Sequence, residues 1–342
     1  MPYRLKKLVL LRIVLYFGSR YYDPSIGRWY VPDPQNQMWT PYGYCGNSPV
    51  MYIDENGEWF GIDDLIISGV SFVVGYVQYG VSTGDWGGDA LAAGGIAAGS
   101  AWLAYNTGGM AAGWLFEGGS TGFALTASTV GGAVGGFSNS IGMQAYFNHG
   151  NIDMNQAWSA AGYGAIGGFA GGTAGLYISD PIAPGMIGGA VSGGIEGSTR
   201  GDWVNGAFMG AWWGGVDASL TTMSYEAYGR YLANKTIKEG AYGSNYVAED
   251  GSVQSCRDFA STVDDYFQGD TDLALFGEMP NSRQAAHEGV ALGRNKYGQH
   301  YVISKEGIGG GIFVRTSTYY KNMYGSPFKI FHIPSHKNIP NF

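Results

Sequence analysis

The sequence predicts a multidomain chain: a short β strip, an all-α middle rich in glycine and alanine, and an α+β domain at the C-terminus. Three observations lead there. Glycine supplies 59 of 342 residues, more than twice the average usage of about 7%, and 36 of these glycines fall between Gly84 and Gly215. No Lys or Arg occurs between Arg28 and Arg200, an interval that holds twelve acids, although the net charge of the chain is only -8. Hydrophobic residues still make up 45% of the chain, with no Gly-X-Y period and only 12 prolines, which excludes a collagen and a disordered tail. Without basic clusters the middle is no nucleic-acid binder, because phosphate binding needs clustered Lys and Arg. Cys45 and Cys256 cannot by themselves build a disulfide scaffold or a zinc site, and no cofactor or metal is expected.

Residues 1–16 are an atypical leader. The stretch MPYRLKKLVLLRIVLYF has a basic start and an apolar run broken by Arg12, with no small-residue cleavage site after it. It reads as the start of a piece of a longer protein rather than as a secretion signal.

Residues 17–58 contain Phe17-Gly18-Ser19-Arg20-Tyr21-Tyr22-Asp23-Pro24, Gly27-Arg28-Trp29, Pro32-Asp33-Pro34, Tyr42-Gly43-Tyr44-Cys45-Gly46-Asn47-Ser48-Pro49 and Tyr52-Ile53-Asp54-Glu55-Asn56-Gly57. These are short aromatic strand pieces punctuated by turn residues, too short to bury themselves. In order and spacing the segment resembles the closing strip of the RHS repeat-associated core. That resemblance implies an upstream RHS shell, a secretion machinery, a cognate immunity protein, and a polymorphic toxin secreted and delivered into a target cell, its cargo starting near Trp59. It also implies a self-cleavage pair, Asp33 and Asp54, as two carboxylates sharing a proton. The plainer reading makes both acids turn residues holding local N–H groups, and Cys45 a packing residue.

Residues 59–235 form the glycine-rich middle. Small residues come in rows such as Gly131-Gly132-Ala133-Val134-Gly135-Gly136 and Gly164-Ala165-Ile166-Gly167-Gly168. A loose repeat places an acid, a bulky residue and then an alanine at Asp85-Trp86…Ala90, Asp153-Met154…Ala157 and Asp202-Trp203…Ala207. An acid at a helix start satisfies orphan N–H groups and meets the positive end of the dipole, so the middle reads as helical hairpins with glycine faces. Glycine costs about 1 kcal/mol per helical position against alanine, tolerable where bare faces let helices approach closely. Two uses compete: packing inside a shell, or a glycine-zipper module that contacts and crosses a membrane. The recurring acids Asp85, Asp89, Glu117 and Asp153 count against constitutive spanning.

Residues 236–342 have an ordinary balance of ten bases and eleven acids, which disfavours a nuclease. A helix opens near Ser255 with Phe259, Val263, Tyr266 and Phe267 on its apolar face. Three β-like runs follow, 289–293, 299–303 and 311–315, the first two joined by a turn at Asn295-Lys296-Tyr297-Gly298. An ideal hairpin there pairs His300 with Leu292. Cys256 sits in the first helical turn, where a thiolate is favoured, and a nucleophilic Cys needs a base and a group that holds the base. His287 and His300 are the downstream candidates. His332 and His336 lack a strong third ligand for a metal, and a surface role for the histidines with an inert Cys256 is the bland alternative.

His287-Glu288-Gly289-Val290-Ala291-Leu292-Gly293, Gln299-His300-Tyr301, Gly309-Gly310-Gly311-Ile312-Phe313-Val314-Arg315 and Tyr319-Tyr320-Lys321 together resemble the papain-like cysteine hydrolases, specifically the NlpC/P60 cell-wall peptidases. The resemblance implies Cys256 as nucleophile, His287 as general base and His300 as the residue orienting that base, acting on peptidoglycan stem peptides. A second assignment makes His300 the base, oriented by Thr316 or Ser317. That version is similar to papain-fold toxin deamidases and proteases acting on a protein amide. A degenerate, inactive passenger is the third reading.

Overall fold

The computed structural model describes residues 15–16, 21–23, 25–31, 42, 62–116, 120–236, 255–266, 272–278, 285–306, 311–325 and 328–332. The chain divides into two compact units, Met1–Ile62 and Asp63–Phe342. The first unit holds a three-stranded antiparallel sheet of β1 (Leu15–Tyr16), β2 (Tyr21–Asp23) and β3 (Arg28–Trp29) in that order. Tyr22 faces Trp29 across the pair, their rings edge to face at 5.7 Å, and Trp29 is buried. Asp23 accepts from the Ser25 N–H (2.9 Å) and the Tyr30 hydroxyl (3.1 Å), closing the turn that the Asp-Pro pair announces. Asp33, Asp54 and Cys45 lie outside the described residues, as do Glu117 and His336.

The second unit begins with six helices: α1 (Ile62–Thr83), α2 (Gly88–Leu115), α3 (Thr121–Phe147), α4 (Met154–Tyr177), α5 (Ala183–Thr199) and α6 (Trp203–Thr236). Acids hold the starts of α4, α5 and α6, but not that of α2, where Asp85 accepts only from the Gly87 N–H and the helix start has no side-chain cap, nor that of α3, which Ser120 caps. Asp153 accepts from the Asn155 N–H (2.9 Å), Asp180 from the Ile182 N–H (2.7 Å), and Asp202 from the Asn205 N–H (3.2 Å).

Neighbouring helices run antiparallel and touch through bare backbone. A Cβ on Gly164 would sit 2.1 Å from the Gly132 carbonyl oxygen, one on Gly136 2.2 Å from that of Ala160, and one on Gly210 2.0 Å from that of Gly189. Such separations exclude any side chain, so glycine is required at these crossings rather than tolerated. The six helices close on themselves: Gln78 of α1 shares a pocket wall with Glu196 of α5 and Trp213 of α6. A cavity of about 470 Å³ lies among all six helices, walled mostly by glycine, alanine and serine.

The C-terminal domain adds α7 (Cys256–Tyr266), β4 (Asp272–Glu278), β5 (Ala285–Arg294), β6 (His300–Lys305), β7 (Ile312–Thr316), α8 (Ser317–Tyr324) and β8 (Phe328–His332). The five strands form one antiparallel sheet ordered β7-β6-β5-β4-β8. Phe259 and Val263 of α7 are fully buried, as their helical spacing requires. β4, β8 and α8 are additions to the sequence reading. The β4 run Leu273-Ala274-Leu275-Phe276 is buried on both faces and shows no alternation, so period-two patterning cannot mark it.

The expected division between residues 235 and 236 is not a division of the fold. α6 continues as one helix from the six-helix ring onto the sheet: Tyr225 stacks on Tyr301 at 4.4 Å, and a Cβ on Gly229 would meet Val314 and Leu292. The β5–β6 turn in exchange enters the ring. Lys296 pairs with Asp217 at 2.7 Å, Tyr297 lies against Gly171 and Gly188, and the Gln299 side-chain amide donates to the carbonyls of Gly175 and Ile178, both at 3.0 Å.

Candidate functional site

β5 and α7 meet at one corner of the sheet, and the chemistry-bearing residues gather there. α7 begins at Cys256, and its next residue, Arg257, forms an ion pair with Glu288 of β5, a carboxylate only 2% exposed. Removing such an acid from water demands a paired cation, and the pair fixes the start of α7 against the strand. Backbone N–H groups of Glu288, Arg257 and Cys256 itself favour the Cys256 thiolate. Burial outweighs them and pushes the thiol up from its ordinary value. The expectation of a thiolate favoured by the helix start is corrected accordingly: the helix effect is present, but desolvation wins.

His287 precedes Glu288 and by strand alternation faces the other side of the sheet. It is 1% exposed and stacked between the rings of Tyr324 (4.2 Å, parallel within 1°) and Tyr320 (4.7 Å). Burial first, and then charge at Cys256, push the Tyr324 hydroxyl up from its ordinary value. The hydrogen bond of the ring is to Ser304 of β6, whose Oγ lies 2.8 Å from Nε2.

The same hydroxyl donates to the Glu288 carbonyl oxygen at 2.7 Å. A hydroxyl has one proton and a carbonyl can only accept, so Ser304 must accept from His287. That assigns the tautomer: Nε2 carries the proton and Nδ1 bears the lone pair. Burial lowers the His287 pKa to about 4, which keeps this neutral form through the physiological range.

His300 is not part of this corner. It pairs with Arg294 rather than with Leu292, because the β5–β6 ladder shifts register between Ala291 and Gly293 and the turn is wider than an ideal hairpin. Gly293 sits there at φ 132°, a conformation that favours glycine. The backbone N–H of His300 donates to the Ser317 hydroxyl (3.2 Å), its ring lies 5.8 Å from Phe328, and its buried Nδ1 has no partner. Thr316 is engaged elsewhere, donating to the Ser179 carbonyl at 2.9 Å. The orienting group at His287 is thus Ser304, not His300. The NlpC/P60 resemblance implies His300; strand pairing brings Ser304 to the His287 ring instead.

Among the described residues no cluster of His, Cys, Asp and Glu has the makings of a metal site. The glycine-lined cavity in the ring has neither Cys256 nor His287 in its wall and so adds nothing to this corner. No family model matches the chain, and no solved structure matches it. Over 42 residues the chain is 50% identical to Salivary gland surface protein 1 of Aedes aegypti, a stretch that covers 12% of this chain and 1% of that protein.

Proposed function

We propose that the chain is the C-terminal part of an RHS repeat-associated polymorphic toxin whose C-terminal domain hydrolyses amide bonds with Cys256 as nucleophile and His287 as base. The observation that carries this reading is the His287 imidazole, held by Ser304 as the Nε2–H tautomer one strand position before Glu288, whose ion pair with Arg257 fixes the start of the Cys256 helix against β5. His287 Nδ1 accepts the thiol proton as sulfur attacks a carbonyl carbon. The resting pair is neutral thiol and neutral imidazole, so the proton moves with the attack rather than before it. N–H groups at the start of α7 are the donors available to the oxyanion. The imidazolium so formed protonates the amine as the C–N bond breaks, which leaves a thioester; the imidazole then takes a proton from the water that attacks the thioester and returns it to the departing sulfur.

Peptidoglycan stem peptides are the favoured substrate, on the resemblance to the NlpC/P60 peptidases; a target-cell protein amide is the second reading. The RHS strip supports a secreted effector, delivered with an upstream shell and countered by an immunity protein. Expressing the full chain in the bacterial periplasm, and separately in the cytoplasm, tests the proposal. Killing confined to the periplasm and lost in Cys256→Ala is the expected result. An alanine variant that kills equally well sinks the catalytic reading, and cytoplasmic killing moves the substrate to a protein amide.

A further inference from the structure

The six-helix ring is inside out for a soluble bundle. Its inner face is lined mostly by glycine, alanine and serine, while its outer face carries the large apolar side chains: Val73 and Val81 on α1, Leu91 and Leu103 on α2, Trp158, Ile166 and Phe169 on α4, Met186 on α5, and Phe208 and Trp212 on α6 are all exposed. Trp158 and Phe208 are each 64% exposed. Exposed apolar surface on one side marks a protein partner. Here it recurs on helix after helix around a closed ring, which a single docked protein cannot cover.

Charge follows the same plan. α3 and α4 contain no Asp, Glu, Lys or Arg, α2 has none after Asp89, and α1 has none after Asp64. Of the acids that argue against spanning in the sequence, Asp85 in the α1–α2 loop, Asp89 in the first turn of α2 and Asp153 at the α4 cap sit at one end of the ring, joined there by Asp202 between α5 and α6; Asp180 lies in the α4–α5 connection at the other end, and Glu117 lies outside the described residues. Glu196 and Asp217 fall within the ring's length but line its interior cavities. Trp86, Tyr146, Trp158 and Trp203 gather exposed at the acidic end and Tyr177 at the other, the placement that amphipathic rings take at a membrane–water boundary. At 1.5 Å per residue the helices run from about 25 Å for the 17 residues of α5 to about 42 Å for the 28 of α2, with α6 (34 residues) longer still because it continues onto the sheet, against roughly 30 Å of hydrocarbon. Among the described residues, one helix, Asp63–Thr83, is long and apolar enough on hydropathy alone to cross. The others fall short because glycine fills their inner faces, where helix contact in lipid wants small residues.

We infer that the ring is a bilayer-embedded sleeve whose partner is lipid, and that the β5–β6 turn of the C-terminal domain stoppers its lumen. The stopper is built rather than incidental. Lys296 reaches Asp217, Tyr297 fills the space that Gly171 and Gly188 leave bare, and Gly298 presses on Ala124, where a Cβ would meet Ala124 at 2.6 Å. Beyond it the lumen is polar: Asn139, Ser140, Gln144, Gln156 and Arg200 line a second cavity of about 640 Å³ at the acidic end. This inference is independent of the hydrolase reading.

The test uses the full chain with phosphatidylethanolamine–phosphatidylglycerol vesicles loaded with carboxyfluorescein. The chain floats with the vesicles in high salt, and vesicles with bromine in the acyl chains quench its tryptophan emission by roughly twofold or more, since outward tryptophans meet lipid. Phe169→Asp with Phe208→Asp, its helicity verified by circular dichroism, lowers vesicle partitioning at least tenfold, on the order expected for charge placed in hydrocarbon. A wild-type chain that stays unquenched and soluble as a monomer, or that buries these residues in a lipid-free oligomer, overturns the sleeve. Tyr297→Ala with Lys296→Ala raises dye release roughly fivefold over wild type by opening a polar path. Quenching retained with unchanged release overturns the stopper alone.

Discussion

Ser304 makes the sharpest residue-scale claim. Replacing it with alanine leaves the Nε2–H of His287 and the Glu288 carbonyl without their shared partner, so Ser304→Ala is expected to lose about 1–3 kcal/mol of stability and to lower amide hydrolysis roughly tenfold to a hundredfold by releasing the second tautomer. Ser304→Thr, which keeps the hydroxyl, restores most of the rate, an outcome that packing alone does not produce. Thermal melts and hydrolysis rates of both variants measure this. The two buried histidines set a pH dependence with a definite sign. Their folded pKa values, about 4 for His287 and about 3 for His300, lie below the ordinary 6.5, so the unfolded chain binds protons first on acidification. Stability is complete above about 6.5 and falls as pH drops towards 4 and 3. Denaturant titrations from neutral to acidic pH read it directly. His300→Phe removes a buried ring whose Nδ1 has no partner and moves the acid midpoint down, while leaving hydrolysis near neutral pH unchanged. Of this corner the sequence showed Cys256 and His287, whose residue types declare their chemistry. Ser304 was illegible, because a serine acquires meaning only from the ladder that sets it opposite β5.

The helix crossings decide how glycine counts at the scale of elements. In an isolated helix Gly→Ala gains about 1 kcal/mol. At Gly164 the new methyl group would lie 2.1 Å from the Gly132 carbonyl oxygen, so Gly164→Ala destabilises by about 1–3 kcal/mol despite its better propensity. At Gly95 nothing lies within 4 Å of the added Cβ, and Gly95→Ala stabilises by up to about 1 kcal/mol. Opposite signs for one chemical change, read by denaturant unfolding in the same lipid or detergent, separate packing from propensity. Helix existence, the capping acids and α7 were legible from composition and spacing. Which glycines touch was not, because the rows of small residues repeat so closely that several registers fit the sequence equally well.

For the molecule as a whole, the glycine-rich middle and the C-terminal domain share α6 and exchange the β5–β6 turn. An excised 236–342 fragment therefore exposes Tyr297, Gln299 and the face of Tyr301 that Tyr225 covers. It is expected to melt well below the same domain in the full chain, each lost 1 kcal/mol moving the midpoint by about 4–8 °C, with calorimetry of fragment and full chain as the comparison. A composition change marked residue 236 as a boundary. α6 ends at that boundary, but before it does so its Tyr225 and Gly229 already pack on the sheet.

Six is an even number of antiparallel helices, so the chain leaves the ring at residue 236 on the end where it came in at residue 63. Three short connections, 84–87, 148–153 and 200–202, close the opposite end. Insertion from one side of a bilayer then asks only these loops to cross. The folded C-terminal domain stays on the side from which the ring entered. Delivery of that domain to the far side would need a separate event, and detachment of the Tyr297 turn is its natural first step.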